Sequence, residues 1–172
     1  MDKSKGNIKT NVHTFKDKNK VADEFSIKIK DYFTDKGVDV ISVENNRLYQ
    51  QKDIDFIIRK GGVRKTVELK ADTYYPRNFY IETVSNESKN TKGCFLYTES
   101  NYILYAFINY NIFYMIPTKK FQEWFTENEE RFSEPRSKIF TPAGNGGYYS
   151  RGKLVPVEVM VNELGLKKYN IK

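Results

Sequence analysis

The chain has 172 residues, 39% hydrophobic and 30% charged, with Lys+Arg 29 against Asp+Glu 22 and a net charge of +7. That is about one domain with enough apolar residues to bury a core, so wholesale disorder is excluded. No apolar run approaches the roughly 18–20 residues that span a bilayer, and residues 1–20 are polar and Lys-rich rather than signal-like. One cysteine, Cys94, and one histidine, His13, leave no internal disulfide, zinc cluster, Ser-His-Asp triad or histidine-based nuclease site to expect. A soluble cytoplasmic domain without membrane contact is the expectation. Its basic balance suits a nucleic-acid partner without requiring one.

Residues 1–19 read as a basic, mobile arm, and 20–172 as a single α/β domain. Over 19–35, Val21, Phe25, Ile29, Tyr32 and Phe33 recur at helical spacing, with Gly37 as the stop. A short strand follows at 38–43. Next, 53–58 and 65–70 read as two strands joined by a turn at Arg59-Lys60-Gly61-Gly62. Further strands are expected at 79–84, 94–97, 102–108 and 112–116, with Asp72 as a turn residue. Thr118 is placed to cap a helix whose Phe121, Trp124 and Phe125 form a buried face. Pro135 breaks the chain, Gly144-Asn145-Gly146-Gly147 reads as a loop, and 154–161 as a late strand or strand pair. This order predicts a mixed central sheet flanked by helices.

Strand alternation decides which side chains meet. In Val67-Glu68-Leu69-Lys70, Glu68 and Lys70 share one face; on the preceding strand Asp53 and Asp55 do likewise. Pairing through the Gly61-Gly62 turn brings Asp55 beside Glu68. Two convergent carboxylates repel unless a proton or cation joins them. Oxygen ligands with no His or Cys suit Mg²⁺, or Mn²⁺ in its place, held by one or two carboxylates and a substrate phosphate. Such an ion lowers the pKa of a bound water, and Lys70 would position or activate that water or offset phosphate charge. The same residues also suit an exposed strand face with Glu68 and Lys70 in cross-strand ion pairs.

Asp55 followed by Glu68-Leu69-Lys70 resembles the D…(D/E)xK signature of the PD-(D/E)XK, or restriction-endonuclease-like, nuclease superfamily. Glu24 on a preceding amphipathic helix and the segment Asn78-Phe79-Tyr80-Ile81-Glu82 resemble auxiliary features of small phage and bacterial members. The resemblance spans residues 20–125, its specific part 53–70. It implies a restriction-endonuclease-like core and a Mg²⁺-dependent deoxyribonuclease, with endonuclease action the first expectation. A chain this small suits a phage- or mobile-element-type nuclease, a resolvase or a repair nuclease equally. Asp55 and Glu68 would hold the ion, Lys70 would serve the water, and Asp53, Glu24 and Glu82 would be auxiliary. The choice between Asp53 and Asp55 as principal ligand stays open, with Asp55 favoured by the apolar residues after it.

Candidate phosphate contacts are Lys89, Lys92, Lys119, Lys120, Arg151 and Lys153, with Arg136 and Lys138 also in loops near the site. DNA is the expected partner, and cleavage of two strands would suit a homodimer. The rival reading is a noncatalytic nucleic-acid-binding protein on a nuclease-like fold, bound through its net charge and its Lys-rich arm.

Overall fold

A computed structural model describes residues 15–136, 139–143 and 146–171. In chain order the elements are α1 (Phe15–Thr34), β1 (Asp39–Ser42), α2 (Arg47–Gln50), β2 (Phe56–Lys60), β3 (Val63–Asp72), β4 (Asn78–Asn86) and β5 (Thr91–Lys92). There follow α3 (Cys94–Tyr97), β6 (Tyr102–Phe107), β7 (Ile112–Pro117), α4 (Thr118–Asn128), β8 (Ile139–Ala143), β9 (Gly146–Pro156), α5 (Val157–Leu164) and β10 (Lys168–Asn170). No helix among the described residues is long and apolar enough to cross a membrane.

The strands form two sheets. A six-stranded mixed sheet has the order β1-β2-β3-β6-β7-β10, its one parallel pair being β3 with β6. A four-stranded antiparallel sheet has the order β5-β4-β9-β8. The central strands are apolar on both sides because both faces are covered. Along β6, Leu104 and Ala106 meet Phe25 and Ile29 of α1, whereas Ile103, Tyr105 and Phe107 meet Phe79 and Ile81 of β4 and Phe95, Phe121 and Met160 of the helices. The mixed sheet is therefore flanked by α1 on one face and by the second sheet with α3, α4 and α5 on the other.

Between β2 and β3, Gly61 (φ 55°) and Gly62 (φ 78°) both take the left-handed conformation that a two-residue hairpin turn demands. The expected hairpin is present, with Phe56 opposite Val67 and Lys60 opposite Val63. Gly37, also left-handed at φ 67°, ends α1 as expected.

Several expectations are corrected. Helix α1 begins at Phe15, so 15–19 are helical rather than an arm; residues 1–14, with His13, lie outside the described residues. The segment 94–97 is a short helix: four apolar residues carry too little pattern to separate strand from helical turn, and Gly93 lets the chain press against β4. A Cβ on Gly93 would lie 2.0 Å from the Glu82 carbonyl oxygen. The stretch 154–161 divides at Pro156 into the end of β9 and α5, whose Val157, Val161 and Leu164 follow helical rather than alternating spacing. Thr118 does not cap α4; Pro117 holds that position, and the Thr118 hydroxyl is 3.2 Å from Ser100 Oγ. Gly146 and Gly147 open strand β9, while 144 and 145 lie outside the described residues. Asp72 closes β3, and its Oδ1 accepts the Tyr74 amide at 2.8 Å, so it also opens the turn that follows.

Candidate active site

Glu68 and Lys70 stand on the β3 face that looks toward the second sheet, beside Ile103 and Tyr105 of β6 in parallel register. Val67 and Leu69 point the other way, into the α1 core. Because that face is otherwise aliphatic and aromatic, Glu68 is taken out of water, with its side chain 4% exposed. Lys70 remains 30% exposed, reaching past Glu68 into a cavity.

Asp55 sits just ahead of β2, where the hairpin register places it next to Glu68. Its amide donates to the Val67 carbonyl at 2.9 Å, and its Oδ2 accepts the Leu69 amide at 2.8 Å, replacing a carbonyl in the ladder. Asp53 is not in the strand. It occupies the turn after α2 at φ 54°, a conformation uncommon outside glycine. Its carbonyl accepts the buried Thr98 hydroxyl at 2.8 Å, which helps hold that turn in place. From there the Asp53 carboxylate still reaches the site, with Oδ2 4.0 Å from Lys70 Nζ. The Lys70 ammonium lies 2.6 Å from Glu68 Oε1.

Three carboxyls thus share one ammonium. Glu68 Oε2 and Asp53 Oδ2 are buried with no hydrogen-bond partner among the described residues. Burial pushes the Glu68 carboxyl up to about 9, with Asp55 and Asp53 adding to the rise and Lys70 opposing it. Asp55 is raised too, chiefly by burial, against the pull of the Leu69 amide and Lys70. Burial works against the Lys70 charge, but Glu68 outweighs it and the ammonium is held well above its ordinary value. The cluster has room for one more positive charge.

Glu82, on β4, faces the same cavity as Lys70. Burial raises its pKa, against the pull of Lys70, the Ser150 hydroxyl and the Cys94 amide. Cys94 lies close enough to Lys70 to interact with it, yet burial holds the thiol up at about 12, so it stays protonated. Tyr97 borders the cluster, its hydroxyl likewise raised to about 12 by burial and then by Asp53. Glu24 is not brought here. Phe25 and Ile29 seat α1 on the opposite face of the sheet, and Glu24 is exposed there.

The basic candidates divide by their partners. Lys120 Nζ donates to the Leu164 carbonyl at 2.9 Å, closing the end of α5. Arg151 pairs with Glu87 at 3.3 Å, Lys153 with Glu134 at 3.8 Å and Lys119 with Glu123 at 4.0 Å. Lys89 and Lys92 project from the β4–β5 hairpin, exposed. Arg136 is described, and Lys138 lies outside the described residues.

Sequence reasoning missed Thr98, Ser150 and Cys94. The two hydroxyls and the thiol act from other strands and helices, and nothing in their local sequence announces it.

Among the described residues, no three Asp, Glu, His or Cys side chains close around a common point as they would about an ion. The Lys70 ammonium lies between Glu68 and Asp53 instead. The donor set still fits a hard divalent cation, because it is all oxygen and two of its buried oxygens lack partners. No protein-family model matches the chain, and no curated protein matches it either.

Proposed function

We propose that the chain is a metal-dependent nuclease hydrolysing DNA phosphodiester bonds, built on a restriction-endonuclease-like core. The observation that carries this reading is the meeting of Asp53, Asp55, Glu68 and Lys70 at one end of the β2–β3 hairpin, with buried carboxylate oxygens left over. An isolated ion pair would not gather three carboxyl groups about one ammonium in an apolar setting, where each unpaired charge costs several kcal/mol by order of magnitude and Glu68 is driven to hold its proton.

Asp55 and Glu68 would hold Mg²⁺ or Mn²⁺, with Asp53 and Glu82 flanking. When bound, the ion supplies Lewis-acid polarisation of the phosphate and a lowered water pKa. The residues of the chain supply position. The Leu69 amide fixes Asp55, and Thr98 fixes the turn that presents Asp53. Lys70, firmly protonated, donates hydrogen bonds; it orients the attacking water and offsets charge on the phosphoryl oxygens rather than accepting a proton. Hydrolysis joins the water oxygen to phosphorus, breaks the bond to the departing strand oxygen, and gives that oxygen a proton.

The test incubates the protein with supercoiled plasmid and with single-stranded DNA in Mg²⁺, Mn²⁺ or EDTA, beside Glu68→Gln. Cleavage that needs metal and vanishes in the variant is expected. Cleavage that persists in EDTA, or in Glu68→Gln, refutes the assignment. DNA binding with no cleavage and no Mn²⁺ uptake would establish the noncatalytic alternative.

A further inference from the structure

Beyond Lys70, between the end of β3 and the second sheet, lies a cavity of about 320 Å³. Its size sits at the small end of ligand pockets and suits one flat group rather than a duplex. The rings of Tyr74, Tyr80 and Tyr105 and the side chain of Ile139 supply apolar wall. Among the described residues its remaining charges are the carboxylates of Asp72 and Glu82, with Lys70 the one cation lining it, at one edge. Those carboxylates repel a phosphate from the interior, so an anion belongs at the Lys70 edge. The interior suits a neutral ring carrying N–H donors.

A nucleotide has those two ends. Its phosphate would meet the Lys70 edge while its base, unstacked, enters among the tyrosines and offers amino hydrogens to Glu82, since both Asp72 oxygens already accept from Tyr74 and Tyr105. The surface beyond the cavity continues the theme. Tyr74 lines it yet is 75% exposed, and next to it Tyr75 stands edge-on to Tyr110 with ring centres 5.4 Å apart. The Arg77 guanidinium lies 5.8 Å from the Tyr75 ring centre. Exposed rings beside a cation form a platform for bases already out of the duplex.

We infer that this cavity binds an unstacked nucleobase of the strand whose phosphate lies at Lys70, so that unpaired DNA is the preferred substrate. The inference rests on the nuclease reading for its orientation, but its test does not depend on cleavage. The probe is a fluorescently labelled single-stranded 12-mer, set against an abasic strand of the same length and charge. Binding is measured by anisotropy in EDTA at low salt. The base-bearing strand is expected to bind about 10-fold tighter, the scale of one stacked base. That ratio should fall toward one in Ile139→Trp, which fills the cavity from its exposed rim. It should also shrink in Tyr74→Ala, a surface change that spares the core should Ile139→Trp fail to fold.

Equal binding of the two strands, binding of neither, or a preference untouched by both variants overturns the inference. Metal-dependent cleavage is scored separately. Cleavage without base preference would sink the pocket alone, and base preference without cleavage would sink the nuclease reading alone.

Discussion

Two acid–base pairs of nearly equal length behave in opposite ways. Glu68 and Lys70 approach to 2.6 Å, and Glu163 and Arg131 to 2.7 Å. Yet the Glu68 carboxyl is driven up to about 9, whereas Glu163 is drawn down to about 2. The second pair lies at the surface, where Arg131 contacts both Glu163 oxygens and Trp124 Nε1 donates to Oε2 at 2.8 Å. Every oxygen of Glu163 is satisfied and water screens the remainder. Glu68 is buried, shares one ammonium with Asp53, stands beside Asp55, and has one oxygen without a hydrogen-bond partner among the described residues. Separation therefore says little about what an ion pair does. Burial and the count of charges on each side decide whether a carboxyl yields its proton to its partner or holds it.

The largest effect that would test this contrast is on cleavage. Glu68→Gln keeps the shape of the buried side chain but takes away the carboxyl that the proposed ion would ionise, and metal-dependent activity should fall about 10³-fold or more. Calorimetric Mn²⁺ uptake should be lost with it. A variant that still binds and cuts like the wild type would return Glu68 to the class of Glu163. Lys70→Ala should lose activity by about 10²–10³-fold while retaining Mn²⁺ uptake, since the carboxylates remain. Loss of uptake together with activity would show that Lys70 organises the acids rather than the water.

A smaller effect is expected in pH-dependent stability. In the unfolded chain Glu68 titrates near its ordinary 4.5, and in the folded protein at about 9. The folded state thus holds an extra proton between those values, so metal-free stability should fall as pH rises across that window. Asp55 and Glu82, both raised, act in the same direction. Melting temperatures followed from pH 5 to 9 in EDTA should decline, and Glu68→Gln should decline less. For a chain of this length each kcal/mol corresponds to about 2–4 °C. Mn²⁺ should restore the loss at high pH in the wild type only. Parallel curves for wild type and Glu68→Gln would mean that the carboxyl carries no excess proton.

The legible part of this contrast is the hairpin. Gly61-Gly62 and the two-residue spacing of Glu68 and Lys70 are local signals, and strand alternation converts them directly into a shared face. Asp53 reached the site by another route, through a left-handed turn fixed by Thr98, which alternation along a presumed strand could not reveal. The second sheet was not legible, because whether β4 joins β3 or β9 is settled by packing rather than by its own residues. In α5, Val157, Val159 and Val161 imitate a strand while Val157, Met160, Val161 and Leu164 mark a helix; burial of Met160 and Leu164 in the core decides between them. Glu24 shows the limit of analogy. Its helix is present, but the apolar stripe that seats α1 turns it to the face opposite Glu68.

The smallest effect belongs to the surface pair, and its smallness is what makes it informative. Glu163→Gln removes a charge whose pKa is lowered, so its contribution is present above the ordinary 4.5 and disappears as pH falls through about 2. At neutral pH the melting temperature should barely move, because both partners are solvated and exposed pairs contribute little. High salt should shrink even that difference, whereas it should leave the Glu68→Gln difference largely intact, since buried charges are poorly screened. A marked destabilisation by Glu163→Gln, persisting in high salt, would show that Trp124 and Arg131 depend on the carboxylate to lock α4 against α5. The contrast would then lie between two structural clusters, and burial alone would no longer separate a site from a brace.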